Sequence, residues 1–229
     1  MTGRGVFIAG TDTGVGKTLV ACALLHGLAV RGLRVAGMKP VAAGARQRRG
    51  IWLNEDVEQL RAAANVDVPR TMMNPYCFAP PIAPHIAASE AGKAIRMAVI
   101  ARHYARIAAL SDVVVVEGVG GLLVPLGPRL SAVAIPERLD LPVLLVVGLR
   151  LGCLNHALLT VDAMEQRGLR LAGWIANAMD PAMARREQNL DALRERMPAP
   201  LLGVVKHAAK TGANRVAKAL DINCIYAAI

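Results

Sequence analysis

Residues 6–21 read VFIAGTDTGVGKTLVA, and the architecture of the protein can be inferred from this segment outward. The apolar residues 6–9 predict a short buried strand, and the Ala- and Leu-rich residues 17–31 predict a helix. The glycine-rich turn between them lets backbone N–H groups approach phosphate oxygens, and the N-terminus of the helix adds its positive dipole. Strand, turn and helix in this order therefore predict an anion-binding α/β unit.

The turn has the composition of a P-loop with one additional residue. Five residues, rather than the standard four, separate Gly10 from Gly16. Lys17 is placed to reach the β- and γ-phosphates of a nucleotide, and the Thr18 hydroxyl is placed to ligate Mg²⁺. The alternative is a glycine-rich turn with an ordinary solvent-exposed lysine. Nucleotide binding is favoured because Gly-Lys-Thr lies where strand, turn and helix all agree.

The rest of the chain alternates short β-rich runs with longer segments of helical period, which is typical of a doubly wound, mostly parallel α/β sheet with helices on both faces. Strands are predicted at residues 6–9, 34–38, 113–116, 143–147, 171–175 and 201–205. Helices are predicted at residues 17–31, 55–64, 94–110, 155–167, 182–196 and 212–220. Loops are predicted at residues 41–51 and 74–85. No repeat or linker divides the chain, so we expect one domain over residues 1–229.

Composition excludes several classes of protein. With 229 residues, 54% hydrophobic and 19% charged, the chain suits a compact domain rather than a disordered segment. Residues 141–149, the longest apolar stretch, are too few to cross a bilayer, and the N-terminus has no secretory signal, so we expect no membrane contact and a cytoplasmic location. The four cysteines are scattered and expected to be reduced. The net charge of +10 would suit a nucleic-acid partner, but the basic residues are dispersed and aromatic residues make up only 3%, so we expect none.

Two carboxylates are candidate ligands for Mg²⁺. The valines at 113–116 lead into Glu117-Gly118-Val119-Gly120-Gly121, which puts Glu117 at the carboxyl end of a buried strand, where open α/β sheets bind ligands. Asp56 lies at the start of a predicted helix, where helix capping would explain it equally well. Because Mg²⁺ accepts one or two carboxylates together with phosphate oxygens, Thr18, Asp56 and Glu117 form a sensible metal set.

From residue 6 to about residue 205 the chain resembles the dethiobiotin synthetase family of ATP-dependent ligases. The motifs that carry the resemblance are, in chain order, Gly10-Thr11-Asp12-Thr13-x-Val15-Gly16-Lys17-Thr18, Lys39-Pro40-Val41-Ala42, Asn74-Pro75-Tyr76-x-Phe78-x-x-Pro81-x-x-Pro84-His85, Val116-Glu117-Gly118-x-Gly120-Gly121, Leu151-Gly152-Cys153-Leu154-Asn155-His156-Ala157 and Gly173-Trp174-x-Ala176-Asn177. Two positions depart from the family pattern: Ala43 stands where the family commonly has serine, and Lys206 where it usually has proline.

The resemblance implies a reaction and its participants. In this family 7,8-diaminononanoate, CO₂ and MgATP give dethiobiotin, ADP and phosphate, through a carbamate that attacks the γ-phosphate. Phosphoryl transfer of this kind needs positive charge around the reacting groups. The resemblance assigns that role to Lys39, Lys17 and Thr13. It also implies a homodimer, in which the second subunit uses residues 151–155 to bind the carboxylate of the substrate, although Asn155 is also explained as a helix cap.

Motif and resemblance together define the expected site. The expected nucleotide-binding residues are Gly14, Val15, Gly16, Lys17, Thr18, Leu19, Asp56, Glu117, Gly118, Val119, Gly120, Asn177 and Lys206. By resemblance, Asn177 hydrogen-bonds adenine. The expected substrate-binding residues are Thr13, Lys39, Ala43, Cys153, Leu154 and Asn155. His85 and His156 are expected to be structural.

Two other functions share part of this pattern. A P-loop ATPase switch of the partitioning or assembly type commonly has an early second lysine in the P-loop, where this chain has Thr11, Asp12 and Thr13. A related amide-forming ligase would share the P-loop and Glu117. It is distinguished by the segments that begin at Lys39 and at Asn74.

Overall fold

The computed structural model describes residues 4–48, 50–207 and 212–229. Its strands are β1 (Arg4–Gly10), β2 (Val35–Met38), β3 (Val41–Ala42), β4 (Arg46–Arg48), β5 (Ile51–Leu53), β6 (Tyr76–Cys77), β7 (Val113–Glu117), β8 (Pro125–Gly127), β9 (Leu130–Ser131), β10 (Val143–Leu149), β11 (Leu171–Ala178) and β12 (Leu201–Val205). Its helices are α1 (Lys17–Ala29), α2 (Glu55–Ala63), α3 (Arg70–Met73), α4 (Pro84–Glu90), α5 (Met97–Ala108), α6 (Ala134–Leu139), α7 (Cys153–Glu165), α8 (Arg186–Arg196), α9 (Ala213–Ala217) and α10 (Ile222–Ala227).

Six strands form the central sheet, in the order β12-β11-β10-β1-β7-β2, and every neighbouring pair is parallel. The chain runs from β1 to the edge strand β2, returns to β7 and then crosses to β10 on the other side of β1. The strand order therefore reverses beside β1, and such a switch point opens a crevice at the carboxyl ends of the strands. The predicted doubly wound parallel α/β fold is confirmed.

The core follows from strand composition. In β7 and β10 every residue is buried, and β1 is buried from Gly5 onward, because these central strands are covered on both faces. Helix α1 packs on this sheet and also against α2 and α9. It is apolar around nearly its whole circumference, with Val20, Leu24 and Leu28 fully buried. No helix in the described part of the chain is long and apolar enough to span a membrane.

All six predicted strands occur, but several helix predictions have wrong boundaries. The helix predicted at 182–196 begins only at Arg186, after Arg185 adopts a left-handed conformation with φ of 56°. The helix predicted at 155–167 begins earlier, at Cys153, and those at 17–31 and 94–110 are shorter than predicted. The helix predicted at 212–220 is wrong: α9 ends at Ala217, and Asp221 starts α10 by accepting a hydrogen bond from the Cys224 N–H at 3.0 Å.

The two predicted loops contain short strands. Residues 41–51 include β3 and β4, and residues 74–85 include β6 and the start of α4. Strand β3 pairs in parallel with β6, with Val41 opposite Tyr76, while β4 and β5 form an exposed antiparallel hairpin. Strands of two or three residues are too short to show a periodic pattern, so only long-range pairing reveals them.

Gly203 in β12 is required by close packing. A Cβ at this position would lie 2.6 Å from the backbone carbonyl oxygen of Ala219. We expect Gly203→Ala to lower the free energy of unfolding by about 1–3 kcal/mol through overpacking. Chemical denaturation measures this change. Gly127→Ala is the matched control, since its Cβ would meet only the Leu130 Cβ, at an ordinary 3.7 Å; equal stability of the two variants would contradict the prediction.

Candidate active site

The turn after β1 presents backbone N–H groups to the crevice. Gly14 and Gly16 adopt left-handed conformations with φ of 74° and 96°, which favour glycine. Gly16 is the N-cap of α1 and supplies no side-chain cap, so the first N–H groups of the helix stay open to an anion. Asn177, near the end of β11, contacts the turn: its Nδ2 donates to the Val15 carbonyl at 2.8 Å. A Cβ on Gly16 would lie 2.3 Å from that Nδ2.

Lys17 lies buried beneath the turn. Its Nζ donates to the carbonyl oxygen of Asp12 at 2.9 Å. Burial, together with the nearby Lys39 ammonium, lowers the pKa of Lys17 from 10.5 to about 8. Phosphate oxygens beside this ammonium would favour its charged form.

Lys39 sits at the centre of a buried charged cluster. Its Nζ lies 2.5 Å from Glu117 Oε1 and 2.7 Å from Asp56 Oδ2, and Thr18 Oγ1 donates to the same Glu117 oxygen at 2.8 Å. Burial alone would lower the pKa of Lys39, but the two carboxylates outweigh it and raise that pKa, so the lysine stays protonated. Burial raises the pKa of Glu117, and the Lys39 ammonium offsets part of this rise. Despite its burial, Asp56 has a lowered pKa because Lys39 lies beside it.

The backbone around Lys39 is held by Asn74. Lys39 follows β2, and its N–H donates to the Met73 carbonyl at 2.9 Å. The Nδ2 of Asn74 donates to the Lys39 carbonyl at 2.6 Å and to the Tyr76 carbonyl at 3.1 Å. The segments starting at Lys39 and at Asn74 are therefore in direct contact, although 35 positions separate the two residues.

Asn54 shows which of the two explanations of Asp56, helix capping or metal binding, fits the structure. The side-chain oxygen of Asn54 accepts from the N–H groups of Asp56 and Val57, so Asn54 caps helix α2. Its Nδ2 donates to the Ala43 carbonyl at 3.0 Å, which ties the helix start to the segment after β3. The Asp56 carboxylate is thus free of capping and faces Lys39.

The donor set around Glu117 fits a hard divalent cation. Two carboxylates and one hydroxyl converge there, and oxygen ligands of this kind suit Mg²⁺. The second oxygen of Glu117, Oε2, is buried and has no hydrogen-bond partner among the described residues. Within residues 4–48, 50–207 and 212–229 no group of three His, Cys, Asp or Glu side chains is arranged to hold a metal, so this mixed set is the candidate.

These groups line one cavity of roughly 860 Å³. Of the residues expected from the sequence, it is lined by Thr13, Gly14, Gly16, Lys17, Thr18, Leu19, Lys39, Ala43, Asp56, Glu117, Val119 and Gly120. It is also lined by residues that were not expected at the site, which are Ala42, Gln59, residues 81–84, Val124 and Pro125, although Ala42, Pro81 and Pro84 belong to quoted motifs. Ala43 presents only a methyl group where a serine would offer a hydroxyl.

The other expected residues lie outside this cavity. The Val15 side chain is buried in the core, and Gly118 packs against the Phe7 ring. Asn177 contacts the P-loop through the Val15 carbonyl, and the exposed Lys206 directly follows Val205, the register partner of Asn177. At the start of α7 Cys153 is buried, Leu154 half-buried and Asn155 exposed.

Asp12 connects the P-loop to a residue that sequence reasoning missed. Its Oδ1 accepts from the Thr13 N–H at 2.7 Å, its carbonyl holds Lys17, and its Oδ2 forms an ion pair with Arg150. Arg150 immediately follows β10, the strand beside β1, and Thr11 N–H also bonds the Val146 carbonyl of β10 at 3.0 Å. Only the pairing of β1 with β10 brings Arg150 here, so no local signal could have found it.

We expect Arg150→Met to lower kcat/KM for ATP by up to about tenfold, because Asp12 would be positioned less firmly. The free energy of unfolding should fall by less than about 1 kcal/mol, since both side chains of this ion pair are 43% exposed. The double variant Arg150→Met/Asp12→Asn should lose less of its kcat/KM than the two single losses combined would give, because both substitutions remove the same contact. Arg34→Met is the control, because its exposed pair with Asp112 lies at the opposite end of the sheet. Equal kinetics for wild type and Arg150→Met would show that the pair positions nothing.

Together the parallel sheet, the glycine turn after β1 and the buried lysine at the start of α1 define a P-loop nucleotide-binding protein. The family model described as an AAA domain matches residues 4–215. The chain is similar in fold to the septum site-determining protein MinD of Pyrococcus horikoshii OT3, solved with Mg-ADP, with a TM-score of 0.60 at 15% identity over 97% of this chain and 94% of that one. At that identity the likeness concerns the fold alone.

Sequence comparison narrows the class to one family. The chain is 56% identical over 219 residues to the ATP-dependent dethiobiotin synthetase BioD of Aromatoleum aromaticum, which covers 96% of this chain and 97% of the relative. It is 50% identical over 220 residues to the BioD of Nitrosospira multiformis, with 96% of each chain covered. The chain belongs to the ATP-dependent dethiobiotin synthetase family, as its motifs predicted.

Proposed function

We propose that the cavity beside the P-loop is where this chain carries out the dethiobiotin synthetase reaction, with 7,8-diaminononanoate, CO₂ and MgATP as reactants. The convergence of Lys17, Lys39, Thr18, Asp56 and Glu117 on one cavity carries the proposal. A site of this kind acts by positioning the reactants and neutralising charge, which is what phosphoryl transfer requires.

The triphosphate lies along the P-loop in this proposal. The N–H groups of residues 14–19 cradle the phosphates, and Lys17 leaves the Asp12 carbonyl to contact them. The base lies on the side of Asn177 and Lys206, which neighbour each other across the β11–β12 pair. The amide of Asn177 already holds Val15, so its free oxygen is the group offered to an adenine amine.

Thr18, Asp56 and Glu117 are the residues that would hold Mg²⁺. When bound, the metal supplies charge neutralisation on the phosphate oxygens. Thr13 and Lys39, which both line the cavity, hold the carbamate oxygens and stabilise the charge that develops as a carbamate oxygen attacks the γ-phosphate and displaces ADP. The second amine of the substrate then attacks the carbamate carbon, and phosphate leaves as the ureido ring closes.

A second subunit is proposed to complete the substrate site. Cys153, Leu154 and Asn155 lie outside the cavity of their own chain. Beside them the surface exposes apolar side chains: Leu151 is 93% exposed and Leu159 is 61% exposed. A homodimer would cover these leucines and bring the open N-terminus of α7 to the carboxylate of the partner's substrate. A single domain, a cytoplasmic location and the absence of nucleic-acid and membrane partners remain predictions from composition.

Product formation tests the function directly. Purified protein is incubated with MgATP and bicarbonate, with and without 7,8-diaminononanoate, and ADP and dethiobiotin are quantified. We expect ADP release to depend on the diamine and to match dethiobiotin in a one-to-one ratio. ATP turnover that is indifferent to the diamine would instead favour a nucleotide-driven switch.

A further inference from the structure

The ammonium of Lys39 and a metal ion would compete for the same oxygens. Nζ lies 2.5 Å from Glu117 Oε1 and 2.7 Å from Asp56 Oδ2. The Thr18 hydroxyl, the third metal donor, points at that same Glu117 oxygen from 2.8 Å. A divalent cation held directly by these groups would need the oxygens that Nζ now contacts, so the two cations would occupy overlapping positions.

Electrostatics forbids the two cations from sharing this space. The side chains of Lys39 and Glu117 are 5% and 1% exposed, so water screens little of the repulsion between an ammonium and a divalent cation in contact. The other cation in the cavity, Lys17, is held by Asp12 and has no contact with the two carboxylates shorter than 4.0 Å. Lys39 is therefore the group that neutralises them when no metal is bound.

We propose that Lys39 is the internal counter-ion of the metal site, and that a divalent cation entering between Thr18, Asp56 and Glu117 displaces its ammonium into the cavity. This inference rests on the proposed metal site and adds the order in which Lys39 and the metal occupy it. Lys39 keeps the carboxylates aligned before the metal arrives, so it is a positioning residue at this stage. Displacement frees all three N–H donors of its ammonium for an anionic group in the cavity, so metal binding prepares Lys39 to hold the carbamate.

Metal binding without nucleotide or substrate tests the competition. Free Mn²⁺ is titrated by electron paramagnetic resonance against nucleotide-free wild type, Lys39→Gln and the control Lys218→Gln, which removes an exposed lysine. We expect Lys39→Gln to bind Mn²⁺ at least tenfold more tightly than wild type, and Lys218→Gln to match wild type. Equal affinities for wild type and Lys39→Gln would overturn the proposal.

Adding Asp56→Asn to Lys39→Gln separates this inference from the proposed function. If the double variant loses the tight Mn²⁺ site, the metal is held where we place it, and the comparison of Lys39→Gln with wild type judges the counter-ion role alone. If the double variant binds Mn²⁺ as tightly as Lys39→Gln does, the metal lies elsewhere, and both the counter-ion role and the proposed metal ligands are refuted.

A second measurement uses the wild-type protein and does not depend on whether a variant folds. The chain has six lysines, so the ¹⁵N-lysine ammonium spectrum is simple, and the buried, hydrogen-bonded Nζ of Lys39 should give a signal protected from exchange. We expect Mg²⁺ to shift this signal or broaden it away. A Lys39 signal unchanged at a Mg²⁺ concentration that saturates the site would show that the ammonium stays in place and that the proposal is wrong.

Discussion

Replacing Lys39 with glutamine is expected to lower dethiobiotin formation by at least about 10²–10³-fold, the usual cost of removing one group that stabilises developing negative charge. Affinity for ATP measured without Mg²⁺ should change little, because the side chain of Lys39 makes its contacts with Asp56 and Glu117. Product is quantified by mass spectrometry, and the affinity for ATP is measured by calorimetry.

The main confounding effect of this substitution is on stability. Breaking a buried ion pair leaves Glu117 without its cation, which typically costs about 3–5 kcal/mol unless the carboxyl takes up a proton. Burial already raises the pKa of Glu117, so protonation limits the loss. Thermal unfolding shows whether the variant is folded at the assay temperature. Folded protein that binds ATP and still closes the ring at the wild-type rate would refute the role of Lys39.

Replacing Lys17 with methionine is expected to abolish ATP binding while stabilising the protein that carries no nucleotide. The pKa of Lys17 in the folded state, about 8, lies below its ordinary value of 10.5. The unfolded chain therefore binds more protons between these pH values, so Lys17 destabilises the fold at neutral pH, and this penalty fades as pH rises from about 8 to 10.5. Methionine removes the buried charge, and we expect a gain of about 1–3 kcal/mol at pH 7.

Thermal unfolding with and without MgATP measures both effects of Lys17→Met. Wild type should gain stability from MgATP, whereas the variant should start higher and gain nothing. The difference between the two nucleotide-free proteins should shrink at pH 10, where wild-type Lys17 is neutral. Lys218→Met, which removes an exposed lysine, should behave as wild type. A nucleotide-free Lys17→Met that unfolds at lower temperature than wild type would contradict the argument.

The sequence predicts well those features whose signals are local. A glycine turn between an apolar strand and a helix predicts the P-loop, and runs such as residues 113–116 predict buried parallel strands. The position of Glu117 at the end of β7 follows from the same run, since the last residue of such a strand emerges at the ligand-binding edge.

Features that depend on pairing across the chain were not predictable in the same way. The β3–β6 contact joins two segments predicted as loops, and the break between α9 and α10 lies where Leu220 bridges to Gly203 of β12. In neither case does the local sequence distinguish the outcome, because two-residue strands have no period and helix propensity does not register a distant partner.

Local sequence is enough to identify the reactive groups: a lysine after a glycine turn, a second lysine after β2 and a carboxylate after β7. The contacts among these groups follow only from the folded structure. It assigned the capping of α2 to Asn54 and so freed Asp56, joined Arg150 to the P-loop, and enclosed the Lys39 ammonium between two carboxylates. The physical reason is that the parallel order of β1, β2 and β7 gathers residues from distant positions at one sheet edge, where their distances and burial, rather than their types, set their charge states.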